Sequence, residues 1–397
     1  MTPRLSARQS SDSTREARLV FQLAGASPQW VAADADATSL EWSLVLQLAA
    51  QENAVFAVRD HLRRFSPGMV PTAVERQVTI LSLDREFRMR RLRQRFEESV
   101  AALNATGSVP LLLKGAALAS TTYGSFVARP MRDIDFLVNA GDAQAVGNLM
   151  LRTGWIHDPS LPDNRIYAGH HHLAPLLDGS GTGLRLEIHR ELLPAGHPFR
   201  YTINELFASA RSASVGSGRA LVMCAAHHAV YAAIHFAWSH MMQVGSWHTF
   251  RDLITIERAG DLDWSEFAEI AKRWGAGTCC YWTLRLGRAL SGLTVPGAVL
   301  HRLQPSLPRA ALTRLERHFT QFLLRNELSC PSVGLDRLFW TTAIQPGRQG
   351  HGAVRPWLVS PELRVARGET MRTSSSRRVL LQMSNARRWG LYLAALL

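Results

Sequence analysis

From Leu40, apolar side chains at Leu44, Leu48, Val55 and Val58 recur at three- to four-residue steps and their multiples, the spacing of one helix face. Ser66-Pro67-Gly68 interrupts the pattern. Pro71 then opens a second helix predicted to reach about Leu103, with Val74, Val78, Leu81, Phe87, Leu92, Phe96 and Val100 as its apolar positions. The period changes at Val109 to Leu113, a short continuous apolar run that reads as a strand. Lys114-Gly115 ends it, Ala116 to about Tyr123 reads as a short helix, and a second strand runs from Asp133 to Val138. A helix from Ala143 to Thr153 stops at Gly154. Trp155 to His157 is extended, His170 to Leu177 is a strand, and the glycine-rich run 178–183 turns the chain into a return strand, Leu184 to His189. In that strand Leu184, Leu186 and Ile188 point one way and Arg185, Glu187 and His189 the other. Helical periodicity returns over Ala220–Met242, Trp274–Leu290 and Leu312–Leu328, and Asp263 with Glu266 forms a capping box between them.

These elements predict an α+β chain: a small mixed β-sheet core flanked by helical N-terminal and C-terminal regions. The expected divisions are a mostly disordered or irregular segment over 1–39, a helical region over 40–105, the sheet core over 106–212, a helical region closing a cleft over 213–330, and a C-terminal extension over 331–397. The extension ends in a basic amphipathic run that is expected to pack on the body, with a partner protein or a membrane surface as alternatives.

Composition narrows the class. Hydrophobic residues make up 46% of the 397, enough for a sizeable core, and no apolar run reaches the roughly 18–20 residues a membrane span needs. The N-terminus has no apolar signal region, so a cytoplasmic protein is expected. The cysteines (Cys224, Cys279, Cys280, Cys330) form no C-x-x-C pair, which argues against a disulfide or zinc framework. The net charge is +13, but Lys114 and Lys272 are the only lysines among 45 basic residues. That arginine bias reads as genome composition and weakens the charge as evidence for nucleic acid. It also singles out Lys114, a compact ammonium where arginine's planar fork would not serve.

The candidate chemistry lies between Leu111 and Val138. Asp133 and Asp135 share one strand face, and two adjacent carboxylates are tolerable when they hold a divalent cation. Leu-Lys-Gly at 113–115, Tyr123, Arg-Pro-Met at 129–131 and Asp-Ile-Asp-Phe-Leu-Val at 133–138 together resemble the bacterial uncharacterised nucleotidyltransferase family of the DNA-polymerase-beta-like nucleotidyltransferase superfamily. Lys114-Gly115 stands where the wider superfamily carries Gly-Ser. The resemblance implies a nucleotidyltransferase core in which Asp133, Asp135 and Glu187 are catalytic and bind metal. Lys114, Gly115, Arg129 and Arg132 would bind nucleotide. The implied cofactor is Mg²⁺, with Mn²⁺ as the alternative ion, and the implied reaction transfers a nucleoside monophosphate from an NTP such as ATP to a hydroxyl or amine. A small-molecule or peptide acceptor is favoured over nucleic acid. A non-catalytic nucleotide- or partner-binding protein and a small-molecule phosphotransferase are the alternatives.

Other polar clusters are weighed against this core. The arginines at 85, 88, 90, 91, 93 and 95 read first as a solvated helix face, and second as a basic rim for phosphate. Adjacent strand residues diverge, so at most His170 and His172 share a face and a metal tract at 170–172 is disfavoured. His227, His228, His235 and His240 read mainly as packed core residues. Arg251-Asp252 is either a buried ion pair or part of the cleft lining.

Overall fold

The computed structural model describes residues 13–25, 40–65, 70–161, 167–242, 245–324 and 333–344. Helices α1 (Ser13–Ala24), α2 (Trp42–Gln51), α3 (Val55–Phe65) and α4 (Thr72–Ala105) lead into strand β1 (Leu111–Leu112) and helix α5 (Lys114–Ser120). Strand β2 (Asp133–Leu137), helix α6 (Ala143–Arg152), strands β3 (Trp155–His157), β4 (Leu176–Asp178) and β5 (Arg185–His189), helix α7 (Ile203–Ala208), and strands β6 (Arg211–Val215) and β7 (Gly218–Val222) complete the core. Helix α8 (Ala225–Ile234) runs into a π-helical turn, His235–Ser239. Helices α9 (Ser246–Arg258), α10 (Trp264–Arg273), α11 (Gly277–Ser291), α12 (Gly297–Leu303), α13 (Arg309–Leu323) and α14 (Val333–Ile344) follow. The chain is α+β, and the seven strands among the described residues form one mixed sheet in the order β3-β4-β5-β2-β1-β7-β6.

Strand alternation explains where the layers lie. Leu112, Ile134, Phe136, Leu186 and Ile188 are buried on one face, packed with Leu92, Phe96 and Val100 of α4. Leu111, Leu113 and Leu137 point the other way, into the helical core built around Trp247, Phe250, Trp274 and Trp282. Asp133 and Asp135 have the same parity as Leu137, so they face the helical layer. The cleft between sheet and helices is therefore the side on which the carboxylates lie, with Asp133 in its lining.

Three elements differ from the sequence reading. Part of 1–39 is ordered: α1 buries Val20, Phe21, Leu23 and Ala24. Trp247 Nε1 donates to Val20 O at 2.8 Å, Ser291 Oγ to Phe21 O at 2.8 Å and Arg251 Nη1 to Ala24 O at 2.8 Å. A helix this short is held by tertiary contacts, which a local pattern does not display. Residues 1–12 and 26–39 lie outside the described residues. The sheet also continues past 212: β6 and β7 pair antiparallel across a two-residue turn with Gly216 at φ +55°, where a long helix from Ala220 was expected. The alanines at 213 and 220 carried too little strand signal. The C-terminal amphipathic run, the loop at 345–356 and Cys330 lie outside the described residues.

The arginines of α4 are mostly tied down. Arg95 is buried, with Nε 2.9 Å from Asp178 Oδ1 and its guanidinium over the Trp155 ring. Arg88 pairs with Asp84, and Arg93 with Glu97. The helix face is therefore acid-paired, and both Arg91 and Arg95 reach Asp178 at the end of β4. Among the described residues, no helix is long and apolar enough to cross a membrane. Cys224, Cys279 and Cys280 are free thiols.

Candidate active site

Parallel pairing of β2 with β5 builds the acidic centre. Asp135 lies opposite Glu187 and Asp133 opposite Arg185, so the three predicted acids sit on one face of two neighbouring strands. Lys114 is delivered by the β1-to-α5 turn. Leu113 N donates to Asp135 O at 3.1 Å, and Lys114 then takes a left-handed backbone, φ +45°, which costs a non-glycine residue and persists only where its surroundings enforce it. Its Nζ donates to Asp135 Oδ1 at 2.8 Å. His189, two residues beyond Glu187 on the same face, places Nε2 3.0 Å from the same Oδ1 and 3.4 Å from Glu187 Oε2. Asp135, Glu187 and His189 thus bring three ligand atoms within 4.8 Å of one another.

The charges are unevenly shared. Burial alone would raise Asp135, but Lys114 and the His189 bond outweigh it and hold the carboxyl below its usual value. Glu187 is likewise driven well down against burial, by the His189 bond and Lys114. Asp133 has no ion-pair partner among the described residues. Burial and the neighbouring Asp135 charge push its carboxyl up to about 6. The carboxylate oxygens are donors a hard divalent cation such as Mg²⁺ or Mn²⁺ takes, with the His189 nitrogen as a softer donor in the same group and Asp133 beside it.

The cleft above these acids has a volume of about 580 Å³. Its floor and rim include Lys114, Gly115, Arg132, Asp133 and Glu187, and its helical wall presents Tyr231, His235, His240 and His248. Asp135 lies beneath, 1% exposed. A smaller cavity of about 410 Å³ behind α5 shares only His228 with this lining. Burial and nearby cations keep the wall histidines neutral: His240 is lowered to about 4, and His235 and His248 fall well below their ordinary value.

Two expected phosphate contacts take other roles. Arg129 does not present a free guanidinium: Nε and Nη2 donate to Asp252 at 2.6 and 2.8 Å and Nη1 donates to Pro130 O at 3.0 Å. Tyr123 Oη donates to Asp252 Oδ1 at 2.8 Å. The Arg251-Asp252 pair is thereby replaced by Arg129-Asp252, which ties the β2 approach to α9. Gly115 has no positive φ; a Cβ there would lie 3.3 Å from both Arg129 Nη1 and Met131 Sδ, so its place is a close approach to these side chains. Arg132 is exposed on the cleft rim beside Asp133.

The sequence reading missed His189 as a partner of the acids, although its parity with Glu187 was visible. It also misjudged 170–172. All three rings converge, with centroids 4.1–4.7 Å apart, because only His172 makes a sheet bridge, to His189, while His170 and His171 lie on the bend that precedes it.

A family model described as uncharacterised nucleotidyltransferase matches residues 38–292, a span that takes in the whole sheet and the helices walling the cleft. No curated protein and no solved structure matches the chain.

Proposed function

The chain belongs to the uncharacterised nucleotidyltransferase family, and from that membership we propose that it transfers a nucleoside monophosphate from an NTP to a hydroxyl or amine acceptor. The observation that carries the reading is the placement of Asp133, Asp135 and Glu187 on one face of β2 and β5, with Lys114 Nζ 2.8 Å from Asp135. Phosphoryl chemistry needs positioning and charge compensation more than covalent help from the protein. A bound Mg²⁺ or Mn²⁺ would supply Lewis-acid compensation of triphosphate charge, held by Asp133, Asp135 and Glu187.

The chain's own residues divide the remaining work. Lys114 and His189 fix the Asp135 carboxylate by bonding one oxygen, Oδ1. Lys114 adds positive charge at the cleft floor, and Arg132 at the rim meets phosphate oxygens, two at a time as the guanidinium fork allows. Arg129 acts at one remove, by holding the strand entry against Asp252. The neutral histidine wall leaves the acceptor side of the cleft uncharged, which favours a small molecule or a peptide group over a polyanion such as RNA.

Incubating the full chain with each NTP, Mg²⁺ and candidate acceptors, with products read by mass spectrometry, tests the reading. Pyrophosphate release with a nucleotidylated acceptor supports it. Nucleoside diphosphate with a phosphorylated acceptor would instead identify a phosphotransferase.

A further inference from the structure

Glu187 faces two ways. One neighbour is His189, which belongs to the Asp135 cluster; the other is His172, whose Nε2 lies 3.9 Å from Glu187 Oε2. His172 Nδ1 lies 2.6 Å from Leu173 O. A carbonyl can only accept, so Nδ1 carries the proton and Nε2 of the neutral ring presents a lone pair. A carboxylate oxygen and an imidazole lone pair 3.9 Å apart cannot bond to each other. One ion at about 2.0–2.2 Å from each would span them only at an angle wider than tetrahedral, so a small inward shift of the His172 ring accompanies binding. A backbone acceptor on the far nitrogen is also the arrangement that orients a metal-ligating histidine.

The neighbouring rings form a group of their own, which meets Glu187 through His172. One nitrogen each of His170, His171 and His172 lies within 4.8 Å of the others. His171 Nδ1 is buried and has no hydrogen-bond partner among the described residues, and a buried polar atom left in that state costs free energy. All three histidines and Glu187 line the same cleft.

We propose that His170, His171 and His172, with Glu187 as the shared carboxylate, form a second metal site in the cleft, selective for a borderline first-row dication of the Zn²⁺ type. Nitrogen donors set it apart from the oxygen-donor site at Asp133 and Asp135, since imidazole favours Zn²⁺ and its neighbours over Mg²⁺. The proposal deepens the nucleotidyl-transfer reading, on which the site's use beside the carboxylates rests: a Lewis acid there would bind the acceptor hydroxyl or amine on the histidine side of Glu187.

The test is equilibrium dialysis of the tag-free, full-length, metal-free protein against Co²⁺ as a spectroscopic stand-in, without nucleotide. The wild type should take up one Co²⁺ tightly, with the visible spectrum of a nitrogen-ligated ion. His171→Asn and His172→Asn should each weaken it by more than the roughly 10–100-fold that loss of an outer-shell partner costs, and Asp133→Asn should leave it in place. Because a histidine variant can misfold, X-ray absorption on Zn²⁺-loaded wild type provides a variant-free arm, where at least two imidazole scatterers are expected. Absence of tight Co²⁺ uptake, an unchanged affinity in folded His171→Asn, or an oxygen-only first shell would each overturn the site. Tight Co²⁺ binding without pyrophosphate release would keep the metal site and remove the nucleotidyl-transfer reading; the reverse pair of results would do the opposite.

Discussion

Asp133→Asn should stabilise the metal-free protein at neutral pH. The carboxyl is moved from 3.8 to about 6 by burial and by the Asp135 charge. A folded-state value above the unfolded one means that the native state holds this proton more tightly. The group therefore favours folding most below pH 4, and that contribution is lost as pH rises through about 6. Above that, ionised Asp133 is a standing cost. At 1.36 kcal/mol per pH unit the displacement corresponds to ~3 kcal/mol, and the side chain's access to the open cleft reduces this to ~1–2 kcal/mol. Asparagine keeps the shape and removes the charge. In a chain of this size the gain is about 1–3 °C in melting temperature. The assay is thermal unfolding of wild type and Asp133→Asn in EDTA, at pH 7.5 and at pH 4.5. The gain should be present at pH 7.5 and mostly gone at pH 4.5, where the wild-type carboxyl is largely protonated. A variant that is less stable at pH 7.5, or equally stabilised at both values, would refute the charge assignment.

The same proton competes with metal. Mg²⁺ affinity measured by calorimetry should be flat above pH 7 and fall about ten-fold per pH unit well below 6, as protons occupy Asp133; a flat profile down to pH 5 would contradict this. Lys114→Met leaves Asp135 short of a buried cation and should destabilise the fold by ~3 kcal/mol while abolishing turnover. Lys114→Arg should not restore turnover, because the guanidinium fork does not match the single-oxygen contact. Asp252→Asn uncouples Arg129 and should cost ~3–5 kcal/mol in unfolding experiments, whereas a loss confined to KM for NTP would mean that Arg129 meets phosphate directly.

The alternation at 133–138 was enough to place Asp133 and Asp135 on one strand face, because strand parity is local; Glu187 was joined to them by the family resemblance, and its presence on the same sheet face follows from the pairing of β2 with β5. The sheet order was not legible. β1 contributes only two residues, and its parallel pairing with β7 joins segments about 110 positions apart. Helix α1 escaped notice for a related reason: its order rests on bonds from Trp247, Arg251 and Ser291, more than 200 residues away. Arg129 and Gly115 were given phosphate roles because an arginine or a glycine near an Asp-x-Asp strand has that chemistry available. Asp252, which takes up the guanidinium, comes from a helix whose approach no spacing in the sequence specifies. The histidines at 170–172 show the limit of parity itself, since it applies only where the chain is a strand.

The central claim is that Asp133, Asp135 and Glu187 hold a divalent ion together with an NTP. Calorimetric titration of the full chain with a non-hydrolysable NTP, with and without Mg²⁺, tests it most directly. The expected result is binding that requires Mg²⁺ and disappears in folded Asp135→Asn. Binding of the nucleotide to equal extent without Mg²⁺, or no binding by well-folded wild type under either condition, would contradict it.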